Sequence, residues 1–310
     1  MAKATREAYG EELQKLVQEN DKIIVLDADL SGSTKTAMAK KVAPERFFNI
    51  GIAEGNMIGV AAGIAASGHT VFASSFAMFA TGRCWEQIRN SVVYPSLNVK
   101  ICGSHGGISV GEDGVSHQAT EDMAIMRSIP EMRVFCPCDE WETKAIIRHV
   151  ANDDKPCYVR LGRSAVENFF DENTKFEIGK INVLNRGQKV AIFATGLMVQ
   201  ECMKAVDTLK AMGMEPTVVD VSCIKPLDED GVVEILKQHD YVITAEEHNV
   251  IGGLGSAICE VACKKYPIKI ERIGIQDEFA QSGSYKELLK AYGLSDEAVV
   301  EAVKAYYQTL

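Results

Sequence analysis

Apolar residues recur along this chain in two alternating rhythms. Over residues 4–19, Ala4, Ala8, Leu13, Leu16 and Val17 fall on one helical face, which predicts an amphipathic helix. KIIVLD (22–27) is then a short unbroken apolar run, the pattern of a strand buried on both faces. A polar loop follows over 28–34. Residues 53–67 predict a helix dense in small residues (Gly59, Ala61, Ala62, Gly63, Ala65 and Ala66), a surface that another backbone can approach closely. TVFASS (70–75) and NVKICG (98–103) predict strands, with a helix over 77–91 between them. A long glycine-bearing loop, SHGGISVGEDGVSH (104–117), comes next. RVFCP (133–137), a helix over 140–150 and CYVRLG (157–162) complete a first unit.

The stretch 166–186 is more polar and less regular, and reads as a linker. The alternation then resumes. KVAIFAT, EPTVVDV, DYVITAEE and KIERIGI predict strands, separated by helices over 198–212, over 228–238 and from Gly253, and the chain closes on helices over 284–307. Strand–helix–strand alternation implies parallel sheets joined by right-handed crossovers. The expected fold class is therefore α/β, with two domains (1–165 and 187–310), each a mostly parallel sheet flanked by helices. A length of 310 residues suits that division, at about 100–200 residues per domain. In such sheets ligands sit at the carboxyl ends of the strands. The loops after 22–27, 70–75, 98–103 and 157–162 are therefore expected to converge.

Composition narrows the partners. Hydrophobic residues make up 46% and charged residues 25% of the chain, as in a soluble globular protein. The net charge of −10 sets such a surface against phosphate backbones and anionic lipid, so neither nucleic acid nor membrane is an expected partner. No apolar run reaches the roughly 20 residues of a membrane span, and the N-terminal MAKATREAYGEELQKL lacks a signal-peptide core. The expected location is cytoplasmic. Nine scattered cysteines suit reduced thiols. Cys136 with Cys138, and Cys259 with Cys263, lack further ligands at zinc spacing, so no metal is expected on this chain.

The densest polar cluster is the loop holding His105, Glu112, Asp113 and His117, where glycines let a ligand come close. A solvated surface loop is the bland alternative. Glu54 opens an apolar helix and is either a carboxylate complementing the helix dipole or a half-buried acid suited to a neutral heterocycle. Phe76 and Phe79 stand at i, i+3, a spacing more often found in a core pair than in a cofactor shelf. Arg160 and Arg163 follow a strand, where arginines suit a phosphate clamp or surface ion pairs. GGLGS (252–256) could cradle a phosphate, but it lacks the full six-residue fingerprint and the lysine of a P-loop, which favours a close-packed helix start.

In order, ATRE (4–7), DADLSGS (27–33), NIGIAEGNMIG (49–59), SSFAMF (74–79), SHGGISVGEDGVSHQATED (104–122) and YVRLGR (158–163) resemble the pyrimidine-binding and C-terminal domains of transketolase over essentially the whole chain. The stretch Gly111–Gln118 is the most specific piece. The resemblance implies thiamine diphosphate as cofactor and transfer of a two-carbon ketol unit between sugar phosphates. It implies Glu54 as the carboxyl activating the aminopyrimidine ring, Phe76 and Phe79 as its aromatic pocket, and Asp29 and Leu30 as neighbours of the thiazolium. Arg6, Ser33, His105 and Arg163 then hold the sugar phosphate, Asp113 reads a hydroxyl, and His117 lies near the reacting carbons. His105 and His117 can stabilise alkoxides and shuttle protons, which makes them, with Glu54, the catalytic candidates.

A third family aromatic has no counterpart, since Ala80, Thr81, Gly82 and Arg83 fill that stretch and Arg83 is available for a contact of its own. The family's Gly-Asp-Gly motif, which holds the diphosphate through a divalent metal such as Mg2+, is also missing. The resemblance thus implies the C-terminal subunit of a split enzyme, with the diphosphate and metal on a separate N-terminal subunit in a heterotetramer. The alternatives are the beta subunit of a 2-oxo acid dehydrogenase, which shares the two-domain layout, and a non-catalytic regulatory or nucleotide-binding subunit using GGLGS.

Overall fold

The computed structural model describes residues 2–308. Seven strands form the first sheet, in the order Cys223–Lys225, Arg133–Phe135, Cys157–Arg160, Val99–Ser104, Thr70–Phe76, Ile23–Asp27 and Phe47–Asn49. All neighbours are parallel except the first pair. Alternate residues of Ile23–Asp27 explain why its apolar run is unbroken. Ile24 and Leu26 enter one core cluster with Met57, Ile58 and Ile88, while Ile23 and Val25 enter another with Tyr9, Leu13 and Ile147. Full burial of such a side chain stabilises by roughly 1.5–3 kcal/mol.

The second sheet runs Ile270–Ile275, Tyr241–Asn249, Val190–Ala194, Thr217–Asp220 and Asn182–Asn185, with only the last strand antiparallel. Its faces also bury separately. Ile192 and Ala194 pack with Met198 and Val299, whereas Ala191 and Phe193 join the cluster that already holds Leu26 and Met57. One apolar cluster thus runs through both sheets. The α/β class and the mostly parallel pairing agree with the sequence pattern.

The connections differ from it more. The stretch 166–186, read as linker, includes strand Asn182–Asn185, and Val166 pairs with Lys3. Cys223–Lys225, from the second half of the chain, adds an edge strand to the first sheet. The helix expected over 77–91 is broken into Ala77–Gly82, Trp85–Gln87 and a wider turn at Ile88–Val93. Thr81 Oγ1 donates back to the Ala77 carbonyl at 2.7 Å, a bond that bends helices, and Gly82 follows at once. The polar stretch after Asp27 is not bare loop, because it folds into helices Ser31–Thr34 and Ala37–Val42. The buried Asp27 carboxylate organises it, accepting from Leu30 N at 2.6 Å, Thr34 Oγ1 at 2.7 Å and Thr36 Oγ1 at 2.8 Å. Among the described residues no helix is long and apolar enough to cross a membrane.

Arg160 is not on the surface. It is 5% exposed and donates to Asp122 Oδ2 at 2.9 Å and to the carbonyls of Ala119 and Glu247 at 2.9 and 2.8 Å. It therefore joins the two halves and is not a phosphate clamp. Replacing one member of a buried ion pair strands the other, at a cost of about 3–5 kcal/mol. Arg160→Leu is expected to lose stability on that scale in denaturant unfolding, and a loss under about 1 kcal/mol would refute the structural role, being the size of an exposed pair.

Candidate active site

Parallel strands put their carboxyl ends on one edge, and the candidate residues gather there. Phe76 ends its strand, His105 follows Ser104, Arg163 follows the strand ending at Arg160, and Asp29 to Ser33 follow Asp27. The Phe76 ring centre lies 4.0 Å from that of His105 and 6.3 Å from that of Phe79, nearly parallel to the latter at 16°. Phe79 in turn meets the edge of His117 at 5.1 Å. Two aromatics and two imidazoles therefore form one wall. Each histidine is held through Nδ1: His105 by Ser104 Oγ at 2.8 Å, and His117 by Ser116 Oγ at 2.9 Å.

His105 is buried in a left-handed conformation (φ 60°), a strained backbone that its surroundings must hold. Burial, followed by the charges of Arg6, Arg163, His117 and Lys35, pushes its pKa down to about 3. Arg6, Arg163 and Lys35 thus form a cationic rim around a neutral imidazole. Arg6 donates to the Ser33 carbonyl at 2.8 Å, while its Nε is buried without a hydrogen-bond partner among the described residues. Arg163 bonds the Val110 carbonyl and pairs with Glu112 at 3.1 Å. Glu112 is exposed, so that pair is weak and open to exchange for an incoming anion.

Glu54 is 3% exposed at the first position of helix Glu54–Ala66. Arg83 Nη1 donates to its Oε2 at 3.0 Å, and the same guanidinium lies 4.2 Å above the Phe79 ring. A buried carboxylate beside an aromatic face thus holds a flat, delocalised group by one hydrogen bond and by stacking. Asp29 (φ 64°) exchanges bonds with Asn49: its Oδ1 accepts at 2.7 Å and its amide donates at 3.0 Å. Leu30 caps the next short helix, and Asp113 stands exposed at the end of turn Ile108–Asp113.

GGLGS is a close-packed helix start. Glu246 accepts from the Leu254 and Gly255 amides at 2.7 and 2.8 Å, so a carboxylate of this chain already takes the groups a phosphate would need. That removes the basis for a nucleotide cradle there. The sequence pattern also missed the brace behind the histidine loop. Glu247, buried in strand Tyr241–Asn249, accepts from Ser109 N at 2.5 Å, and Gln118 Nε2 donates to the Gln281 carbonyl at 3.0 Å. A Cβ on Gly107 (φ 83°) would overlap the Glu247 carboxyl, so the loop can seat there only with glycine. Lys35 was missed as well, since a lysine in a polar stretch carries no distinguishing pattern.

Family models for the transketolase pyrimidine-binding domain and the transketolase C-terminal domain match residues 1–168 and 179–299. The chain belongs to the transketolase family. It is 51% identical to a Methanocaldococcus jannaschii protein named as a transketolase C-terminal section, over 97% of this chain and 95% of that one. A 6-deoxy-6-sulfo-D-fructose transketolase subunit from Clostridium is 38% identical over 96% and 92%. Rat transketolase is 36% identical over 97% of this chain but 48% of its own length. Among solved structures, a split-gene transketolase described as an inactive beta4 tetramer is 48% identical, with a TM-score of 0.89 and 98% of both chains covered.

The family implies thiamine diphosphate and a divalent metal. The residues present fit the pyrimidine end of that cofactor, because the carboxylate and aromatic face that hold the Arg83 guanidinium suit a flat heterocycle with a ring nitrogen.

A depressed histidine pKa has a testable sign. The unfolded imidazole takes a proton near 6.5, whereas the folded His105 resists it down to about 3. The contribution to stability is fully present above pH 6.5 and is lost as pH falls through that window. The His105 ring resonances are expected to stay at neutral positions from pH 8 to about pH 5 in an NMR titration. A midpoint near the ordinary histidine value would contradict the cationic, buried setting.

Proposed function

We propose that this chain is the C-terminal subunit of a two-chain transketolase, transferring a two-carbon ketol unit from a ketose phosphate to an aldose phosphate. A separate N-terminal subunit holds the diphosphate and its divalent metal, and the two chains assemble as a heterotetramer. The observation that carries this reading is the buried Glu54 beside Phe79, next to the His105–His117 wall. The split-gene relatives support the division into two chains.

Thiamine diphosphate, when bound, supplies the carbon nucleophile that lets the bond beside a ketose carbonyl break and re-form. The chain's own residues do the rest. Phe76 and Phe79 would form the aromatic pocket around its pyrimidine, and Glu54 would hydrogen-bond a ring nitrogen and so hold the proton on which activation depends. Asp29 and Leu30 line the thiazolium side. His105, kept neutral, hydrogen-bonds the developing alkoxide without adding charge, and His117 exchanges a proton with the sugar hydroxyl. Arg6, Arg163 and the Ser33 turn hold the anionic tail, Arg163 exchanging Glu112 for it. Asp113 reads a hydroxyl between these ends. With its tail fixed, the sugar is oriented toward the reacting wall.

Mixing this chain with an N-terminal subunit is expected to restore transfer from xylulose 5-phosphate to ribose 5-phosphate, while this chain alone stays inactive. Turnover by this chain alone would sink the two-chain reading. Glu54→Gln in the assembled enzyme is expected to lose about 10²–10⁴-fold in kcat, the usual scale of acid–base catalysis. A loss under twofold would leave Glu54 as a helix-dipole carboxylate.

Arg163→Ala separates substrate binding from cofactor chemistry. A charge-assisted bond contributes roughly 1.5–3 kcal/mol, so KM for xylulose 5-phosphate is expected to rise about 10- to 150-fold at similar kcat. Hydroxypyruvate, which lacks the phosphate, is expected to be nearly unaffected. Equal losses for both donors would remove Arg163 from the anion site.

A further inference from the structure

Away from the histidine wall, the Cys138 thiol and the Glu142 and Asp220 carboxylates converge, with one ligand atom from each within 4.8 Å of the others. All three are buried. Cys138 lies between strand Arg133–Phe135 and helix Glu140–Ala151, Glu142 lies in that helix's first turn, and Asp220 ends a strand of the second sheet. The group therefore straddles the seam between the sheets. It stands beside Cys223–Lys225, the strand that crosses from the second half of the chain into the first sheet.

The group lacks compensation for its charge. Neighbouring Asp139 is satisfied, accepting from the amides of Glu142, Phe169 and Phe170 at 2.8–3.0 Å. Glu142 accepts from Cys138 N at 2.9 Å and Asn182 Nδ2 at 3.3 Å. Asp220 Oδ2 accepts from the same Asn182 amide at 3.1 Å, but its Oδ1 is buried without a hydrogen-bond partner among the described residues. The Ser222 side chain and the Cys138 amide support Glu142, but among the described residues no cation is one of the strongest electrostatic neighbours of the three groups, which are otherwise one another, Asn182 and Asp139. Unpaired charge in such a place is costly, so something neutralises it.

We propose that Cys138, Glu142 and Asp220 bind one divalent transition-metal ion, best suited to zinc, that ties the two sheets together. A thiolate with two carboxylates is a donor set for a borderline-soft ion and argues against magnesium or calcium. Binding deprotonates Cys138: the thiol proton leaves to solvent as the sulfur–metal bond forms, with no change of oxidation state. Thiolate and two carboxylates bring three negative charges against the ion's two positive ones, so the group keeps one negative charge where the two carboxylates with a neutral thiol would carry two. Asn182, already against both carboxylates, can turn its amide to offer Oδ1 as the fourth ligand. The role is structural, separate from any metal the cofactor's diphosphate requires. The competing occupant is a single proton shared by Glu142 and Asp220. A proton would satisfy the orphan oxygen but leave Cys138 without a part.

The experiment loads the full chain with Zn2+ or Co2+, removes excess metal and measures metal content, cobalt absorption and thermal unfolding. One ion per chain is expected, with a thiolate-to-cobalt band and a higher unfolding temperature in the loaded form. Cys138→Ala deletes only a buried sulfur. It is expected to keep its circular-dichroism spectrum while losing the band and weakening metal retention by more than about 10–100-fold, the usual cost of losing an outer-shell support. Asp220→Asn is expected to weaken retention similarly. Absence of metal uptake by the wild-type chain, or equal uptake by Cys138→Ala, would overturn the site. So would a protonated-carboxyl infrared band that survives added Zn2+ and disappears in Asp220→Asn, because that marks the shared proton.

Discussion

Arg160 is the point on which the two halves and the histidine loop all bear. Its Nε is committed to Asp122, which also accepts from the Tyr158 hydroxyl at 2.5 Å, and its Nη2 reaches one carbonyl from each half. Gly106 passes so close that a Cβ there would overlap the guanidinium. The loop that carries His105 and His117 is rich in glycine and would be mobile in water. It is held because one buried cation takes the Ala119 carbonyl just beyond it and Glu247 takes its Ser109 amide. A buried ion pair is weak evidence for net stability. What it does here is fix one arrangement, since the one guanidinium is shared among Asp122 and the carbonyls of Ala119 and Glu247.

The main strands were legible because burial on both faces writes an unbroken apolar run. The strand Asn182–Asn185 was not, because it is an edge strand with every residue half-buried, and its NVLN pattern resembles a connection. Cys223–Lys225 pairs with residues some ninety positions earlier, and no local pattern encodes so distant a partner. The turns after Asp27 were hidden for a different reason: a single carboxylate satisfies three groups, and that network is visible only in space.

The site was legible in outline. Two histidines in one glycine-bearing loop marked the place, and the family resemblance supplied roles that composition alone left even. Arg160 and Arg163 could not be told apart in sequence, because both follow the same apolar run. The fold separates them by position: Arg160 still lies within the strand and points into the seam, while Arg163 lies beyond its end, at the rim. GGLGS is the close-packed helix start its incomplete fingerprint favoured, but its occupant, Glu246, belongs to the preceding strand and was not legible.

Arg83 explains how a buried carboxylate can wait for a flat ligand. Left alone, Glu54 would be a charge taken from water with nothing in exchange, a penalty of about 1–3 kcal/mol or more. Arg83 removes that penalty while remaining 53% exposed, so its own release into solvent is cheap. Its guanidinium also covers the Phe79 face that a heterocycle would occupy. A flat heterocycle bound here would exchange with a group of similar shape, leaving Glu54 and Phe79 partnered before and after. Lysine in that place could offer the charge but not the plane. The absent third aromatic and the presence of Arg83 are on this view two sides of one arrangement.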